Sequence, residues 1–256
     1  MQRTLYKHHG ESVENMIKHY RENTDIKALF LIGSVAVGME RPDSDIDAVA
    51  IVSKEYYEQK KNSGELEEVY YGKCTYECGY FNIHYMTREN LEEISQSGTE
   101  PMRNMFDCAC ILYCDEPDLP ELVDIIPVFQ KNEAEIKKFR FYCAMKMFHT
   151  YYWVCCKPDG FMRLHVANGI IYNLYRLILL ENEILFPSVR KLEEYVNRAP
   201  DKPNQIIQKC ERFMKSLSDE DCVELIRSYE MWTAYDYPKN HNIIMNNFSN
   251  PYEYDL

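Results

Sequence analysis

The chain has 256 residues, enough for one large domain or two of about 100–150 residues, each with its own core. Its 29 Lys and Arg against 41 Asp and Glu leave a formal charge of −12, which excludes the dense cationic surface needed to bind polynucleotide or an anionic membrane. A hydrophobic fraction of 46%, with 21 tyrosines, excludes a disordered chain.

The opening MQRTLYKHHGESVENM has no apolar core of a secretory signal, and no run of about 18 apolar residues follows, so a cytoplasmic protein with reduced thiols is expected. Most of the ten cysteines lie in apolar runs such as FDCACILYC and YYWVCC, where Cys behaves as a small hydrophobe. Cys108, Cys110 and Cys114 lack the second C-x-x-C or H-x-x-x-H that a zinc site needs. The spacing of SVENMIKHYRE (12–22) predicts an amphipathic helix capped by Ser12. ALFLIG (28–33) and IDAVAIV (46–52) predict buried strands, and Ser53 caps a polar helix that begins KEYYEQKK. Residues 67–86, rich in Tyr, Phe, Ile and Val, have strand character, and Thr87 caps RENLEEISQSG.

Beyond DEPDLPELVDIIP (115–127) the periodicity becomes helical. Ile136, Phe139, Cys143, Met147, Tyr151 and Val154 recur at three- and four-residue steps and predict one face of a long helix over 132–156. Residues 162–183 are apolar almost all round, as in a helix packed on several sides. Shorter helices are expected between Pro187 and Pro200, over 203–216 and over 218–231, followed by an irregular polar tail. An α/β half (1–120) thus precedes an all-helical half (121–256).

The segment FLIGSVAVGMERPDSDIDAVAIV (30–52) carries the chemistry. A strand ends at Gly33-Ser34, where small residues let backbone approach a ligand. After a charged turn, Asp45-Ile46-Asp47 opens a second strand, and strand alternation points both carboxylates to one side with Ile46 toward the core. Two like charges so placed are relieved by a hard divalent cation such as Mg²⁺, which takes one or two carboxylates together with phosphate oxygens. A D-x-D pair alone is commonly a solvated strand end. The combination strand–G-S–x₁₀–D-x-D–strand is far more specific.

These residues resemble the nucleotidyltransferase superfamily typified by DNA polymerase beta. The string G-S-x-A-x-G-x-x-R-x-D-S-D-I-D (33–47) is similar to that of its small bacterial members, among them aminoglycoside and lincosamide nucleotidyltransferases and minimal antitoxins. The resemblance is specific over 28–52 and extends to about residue 95. It implies an α/β (α+β) nucleotidyltransferase domain with a small mixed sheet, followed by an all-helical C-terminal domain for substrate or partner. Gly33 and Ser34 would then hold the β- and γ-phosphates of a nucleoside triphosphate such as ATP, while Asp45 and Asp47 would bind one or two Mg²⁺ ions. The reaction implied moves a nucleoside monophosphate to a hydroxyl of a small-molecule acceptor, such as an antibiotic, with release of pyrophosphate.

One departure stands out. The third carboxylate expected on a later strand falls at Asn82, within GYFNIHYMT, and an amide can neither carry the charge nor take a proton. His84, two residues on, and Glu77, of opposite strand parity, are auxiliary candidates, each also readable as a solvated side chain. Arg41 meets either a phosphate or solvent. Glu133 and Glu135 are weaker candidates for a base, and His165, Asn168, Asn173 and Arg176 space as a polar seam along one helix. Two readings follow: an active Mg²⁺-dependent nucleotidyltransferase, or a degenerate nucleotide-binding or protein-partner module. Antitoxin-like protein modification fits the length poorly and polynucleotide synthesis fits the charge poorly; homo-oligomerisation stays open.

Overall fold

Runs of β-branched and aromatic residues form the strands of this protein, and capping residues start several of its helices. The computed structural model describes residues 5–248, and the chain divides into two compact units, the first ending at Val128 and the second beginning at Phe129. The first unit runs α1 (Lys7–Arg21), β1 (Ile26–Leu31), α2 (Gly33–Val37), β2 (Ile46–Val52), α3 (Lys54–Ser63), β3 (Glu67–Tyr71), β4 (Tyr80–Met86), α4 (Arg88–Ser97), α5 (Glu100–Asn104), β5 (Cys110–Cys114) and α6 (Leu119–Ile125). Its strands form one mixed sheet in the order β3-β4-β2-β1-β5. β2 and β4 are parallel, and the other neighbours are antiparallel.

Strand alternation sorts the core onto two faces. Ile46, Ala48 and Ala50 of β2 and Phe81 and Ile83 of β4 pack with Met16 and Tyr20 of α1. Val49 and Ile51 face the other way, among Leu91 and Ile94 of α4 and Leu119 and Val123 of α6. Caps set two of the helices as the sequence indicates. Ser53 Oγ accepts the Tyr56 N–H at 3.2 Å. Thr87 and Asn90 exchange reciprocal bonds of 2.9 and 3.2 Å, a capping box.

Two expectations for the elements of this unit need correction. α1 begins at Lys7, one turn before Ser12, which is fully buried inside the helix and donates its hydroxyl to His8 O at 2.7 Å instead of capping. The strand character of 67–86 is broken by a loop over 72–79, so that β3 and β4 form a hairpin. β5, within the cysteine-bearing run, adds an edge strand next to β1.

Glu68 ties the first face together. Its carboxylate accepts hydrogen bonds from Tyr85 of β4 at 2.8 Å and Tyr20 of α1 at 3.2 Å, and pairs with Lys60 of α3 at 3.2 Å. Burial pushes this carboxyl up, but the bonds from Tyr85 and Lys60 and the Lys60 charge outweigh it, and the group titrates below its ordinary 4.5.

The second unit comprises α7 (Lys131–Met147), a π-helical segment (Phe148–Cys155), α8 (Gly160–Glu181), a 3₁₀ turn (Val189–Lys191), α9 (Leu192–Arg198), α10 (Ile206–Ser216), α11 (Asp219–Trp232) and α12 (His241–Phe248). Ile170, Leu174, Leu177 and Ile178 of α8 form its axis, packed with Phe213 of α10 and Leu225 and Tyr229 of α11. The face expected over 132–156 is only partly inward. Cys143 and Met147 are buried, whereas Ile136, Tyr151 and Val154 are exposed. The wider π turn shifts the register, so Trp153 takes the inward place and donates its indole N–H to Asp219 at 2.9 Å. The expected irregular tail forms α12 up to Phe248, with Ile244 packed against Cys143 and Met147; the remainder of that tail lies outside the described residues. All ten cysteines are free, and burial lifts the thiols of Cys210 and Cys222 to about 12. No helix among the described residues is long and apolar enough to cross a membrane.

The Glu68 cluster makes a prediction with a definite sign. A carboxyl held below its unfolded value stabilises the fold above that value, and the contribution is lost as pH falls through the folded one. Glu68→Gln is expected to cost about 1–3 kcal/mol at pH 7. It should also flatten the loss of stability between neutral pH and pH values below 4.5, measured by urea unfolding across that range.

Candidate active site

The ladder between β1 and β2 brings the two halves of the G-S/D-x-D pattern together. Beyond Leu31, one further bond joins Ile32 N–H to Asp47 O at 3.0 Å. Gly33 then turns the chain into α2 with φ +70°, in the left-handed region. A Cβ at this position would lie 2.2 Å from Asp47 Oδ2 and 2.9 Å from Asp47 Cγ. Conformation and space therefore both demand glycine. Ser34 follows, half-buried, and its carbonyl accepts the Met39 N–H at 2.8 Å, closing the short α2 turn.

Asp47, the second residue of β2, stands in parallel register with Asn82 of β4. Asn82 Nδ2 donates to Asp47 Oδ1 at 3.4 Å, and Asn82 Oδ1 is buried with no hydrogen-bond partner. Asp45, half-buried, precedes the strand by one residue. The Tyr80 hydroxyl hydrogen-bonds to Asp45; that bond, then burial, then the charges of Asp45 and Asp47 push the phenol up to about 12. Tyr80 thus feels both carboxylates and stays protonated at neutral pH. Its parity with Asn82, two residues on, is the signal in the sequence that points to it.

Tyr80, Asn82 and His84 share one face of β4, opposite Tyr71, Val69 and Glu67 of β3. Tyr71 is 67% and Val69 47% exposed, and the Tyr71 and Tyr80 rings lie 5.3 Å apart. At His84 the face opens into a cleft of about 460 Å³ that Tyr57, Glu67, Glu93 and Met102 also line. Two candidates stand elsewhere. Arg41 is exposed and pairs with Asp43 at 3.3 Å. Glu77 is exposed in the turn between β3 and β4, where Cys78 takes φ 60°, so the strand-parity argument does not apply to it.

In the second unit the expected polar seam of α8 divides. His165 and Asn168 are exposed, whereas Asn173 and Arg176 are buried. Asn173 donates to Gly169 O at 2.7 Å within its own helix. The Arg176 guanidinium lies 4.4 Å from the Phe141 ring centroid and 4.0 Å from that of Phe186. Glu133 and Glu135 pair with Lys137 and Lys138 along α7.

Among the described residues no group of three or more His, Cys, Asp or Glu is placed to hold a metal. The oxygens nearest one another are hard donors, the Asp45 and Asp47 carboxylates about the Tyr80 hydroxyl, with the Asn82 amide against Asp47 and its Oδ1 unpartnered. That set fits Mg²⁺, which completes its shell with phosphate oxygens and water.

The contact at Gly33 is testable. Gly33→Ala is expected to cost about 1–2 kcal/mol from the left-handed backbone alone. It also has to displace the Asp47 carboxylate, so loss of stability in chemical denaturation and loss of metal binding should appear together.

No curated protein matches the chain. A nucleotidyltransferase-like protein from Exiguobacterium sibiricum 255-15 is similar over 86% of this chain and 71% of its own, at 11% identity and a TM-score of 0.42. Spectinomycin adenyltransferase AAD(9) from Enterococcus faecialis, solved with ATP and spectinomycin, is similar over 93% of this chain and 96% of its own, at 14% identity and a TM-score of 0.35. The model of the family described as polymerase beta, nucleotidyltransferase, matches residues 14–100, about a third of the chain. That span holds Gly33, Ser34, Asp45, Asp47 and Asn82, so the likeness to this family falls on the residues of the candidate site.

Proposed function

We propose that the protein transfers a nucleoside monophosphate from a nucleoside triphosphate, ATP being the first to test, to a hydroxyl of a small-molecule acceptor. The observation that carries this reading is the direct approach of Gly33 backbone to the Asp47 carboxylate, with Asp45 and Asn82 beside it. Mg²⁺ held by Asp45 and Asp47, and by Asn82 once its amide turns Oδ1 toward them, would neutralise the triphosphate and polarise its α-phosphorus. Gly33 and Ser34 take the terminal phosphates through backbone N–H and hydroxyl. Asn82 supplies a neutral oxygen in place of a third carboxylate and takes no proton. His84, next along the same face and at the mouth of the cleft, takes the acceptor's proton. The acceptor enters from that cleft, where Glu67 and Glu93 favour a cationic molecule.

Asn82 also motivates a second reading, a degenerate module that binds nucleotide without turnover. One experiment separates the two. The protein is incubated with each triphosphate, Mg²⁺ and a panel of hydroxyl-bearing acceptors, and pyrophosphate and acceptor mass are recorded. Transfer is expected, Asp47→Ala should lower its rate by about 10²–10³-fold, and Asn82→Asp should lower the Mg²⁺ concentration needed. Bound nucleotide with neither pyrophosphate nor adduct for any acceptor would leave the degenerate module standing.

A further inference from the structure

We propose that Tyr76, at the tip of the β3–β4 hairpin, is the positioning residue that sets Asp45 for cation binding. The proposal rests on the nucleotidyl-transfer reading and adds to it a device for holding one of the two carboxylates.

Asp45 and Asp47 are anchored in different ways. Asp47 lies within β2, between its register partner Asn82 and the backbone of Gly33. Asp45 lies one residue before the strand, at the end of the turn; the Tyr80 hydroxyl bonds to its carboxylate, but no ladder bond of the sheet directs its backbone. The turn closes on itself through Ser44 Oγ, which accepts the Arg41 N–H at 2.9 Å, and Ser44 N–H, which donates to Arg41 O at 3.0 Å. Those bonds shape the turn without fixing it to the sheet.

The fixing comes from the hairpin tip and α1. The Tyr76 hydroxyl donates to Ser44 O, the carbonyl of the peptide unit that joins Ser44 to Asp45. A peptide unit is planar, so holding this oxygen sets the plane from which the Asp45 side chain projects. His8 Nε2 bonds to Pro42 O at 2.9 Å on the same turn.

Tyr76 is itself restrained. Its ring centroid lies 4.6 Å from that of His8 and 5.1 Å from that of His9, which is fully buried. Thr75 N–H donates to Ser12 Oγ at 3.0 Å, Thr75 Oγ1 to His8 O at 3.1 Å, and Asn15 Nδ2 to Lys73 O at 3.1 Å. A loop tip otherwise free to move is thereby fastened to α1 on three sides, with its phenol aimed at the turn. This also accounts for Ser12 and His8, whose polar atoms serve the hairpin and the turn rather than the start of a helix.

Tyr76→Phe keeps the ring contacts and removes the hydroxyl, with its bond to Ser44 O and its contact with the Cys74 thiol. Mn²⁺ affinity in the presence of ATP, read from the paramagnetic resonance of the free ion, should fall about tenfold, as for other residues that orient a metal ligand. Transfer activity lost by the variant should return as Mn²⁺ is raised, which a merely weakened fold would not do. Tyr70→Phe, which removes a hydroxyl from the opposite face of β3, should bind as the wild type does. Wild-type Mn²⁺ affinity in Tyr76→Phe, or an equal loss in Tyr70→Phe, would overturn the positioning role while leaving nucleotidyl transfer intact. If Tyr76→Phe does not fold, His8→Leu decides: a weaker loss in the same direction supports the role and wild-type affinity overturns it. A wild-type protein that binds no Mn²⁺ with ATP overturns the nucleotidyl-transfer reading, and the positioning role falls with it.

Discussion

The backbone of Gly33 and the carboxylate of Asp47 occupy adjoining space in which nothing larger than a hydrogen atom fits. Much of the first unit can be understood as the means of holding that approach. β1 and β2 must be neighbours for the two residues to meet, and the ladder between them, extended by the bond from Ile32 to Asp47, fixes their relative height. β4 must lie parallel on the far side of β2 for Asn82 to stand beside Asp47. The central position of β2 in the sheet meets both demands at once.

The two faces of the sheet divide structural and chemical work. One is closed by α1 and fastened by Glu68, whose partners come from α1, α3 and β4. A half-buried carboxylate is tolerable there because three donors satisfy it. The other face is packed by α4 and α6 around Val49 and Ile51, but around Asn82 it carries exposed Val69 and Tyr71. The formal charge of −12 acquires a local meaning here, since Asp45 and Asp47 stand at Tyr80 and Glu67 and Glu93 line the cleft at His84.

The strands β1 and β2 and the caps at Ser53 and Thr87 were legible in the sequence, because apolar runs and local side-chain bonds are short-range signals. Strand alternation alone does not direct Asp45, because β2 begins at Ile46 and Asp45 ends the turn before it, although both carboxylates act on Tyr80. Long-range features were less accessible. Ser12 looked like a cap, and only the hairpin tip, some sixty positions later, shows why it is buried mid-helix. The loop over 72–79 was hidden by the strand propensity of the tyrosines in and around it, and with it the place of Glu77 and the role of Tyr76. In the second unit the predicted face held at Cys143 and Met147 but not at Ile136, and beyond Met147 the π turn altered the period, which no propensity scale encodes. Arg176, spaced as part of a polar seam, lies instead among aromatic rings that come from other parts of the chain.

The unequal anchoring of Asp45 and Asp47 has a thermodynamic consequence. Cooperative opening in a folded chain proceeds by local units, and strands in a central sheet open at far greater cost than surface turns. Asp47 belongs to the sheet, whereas Asp45 belongs to the turn that precedes it. A ligand that engages both carboxylates therefore couples two units of different stability, and part of its binding free energy goes into ordering the weaker one. The looser carboxylate then sets the affinity, while the firmer one sets the place.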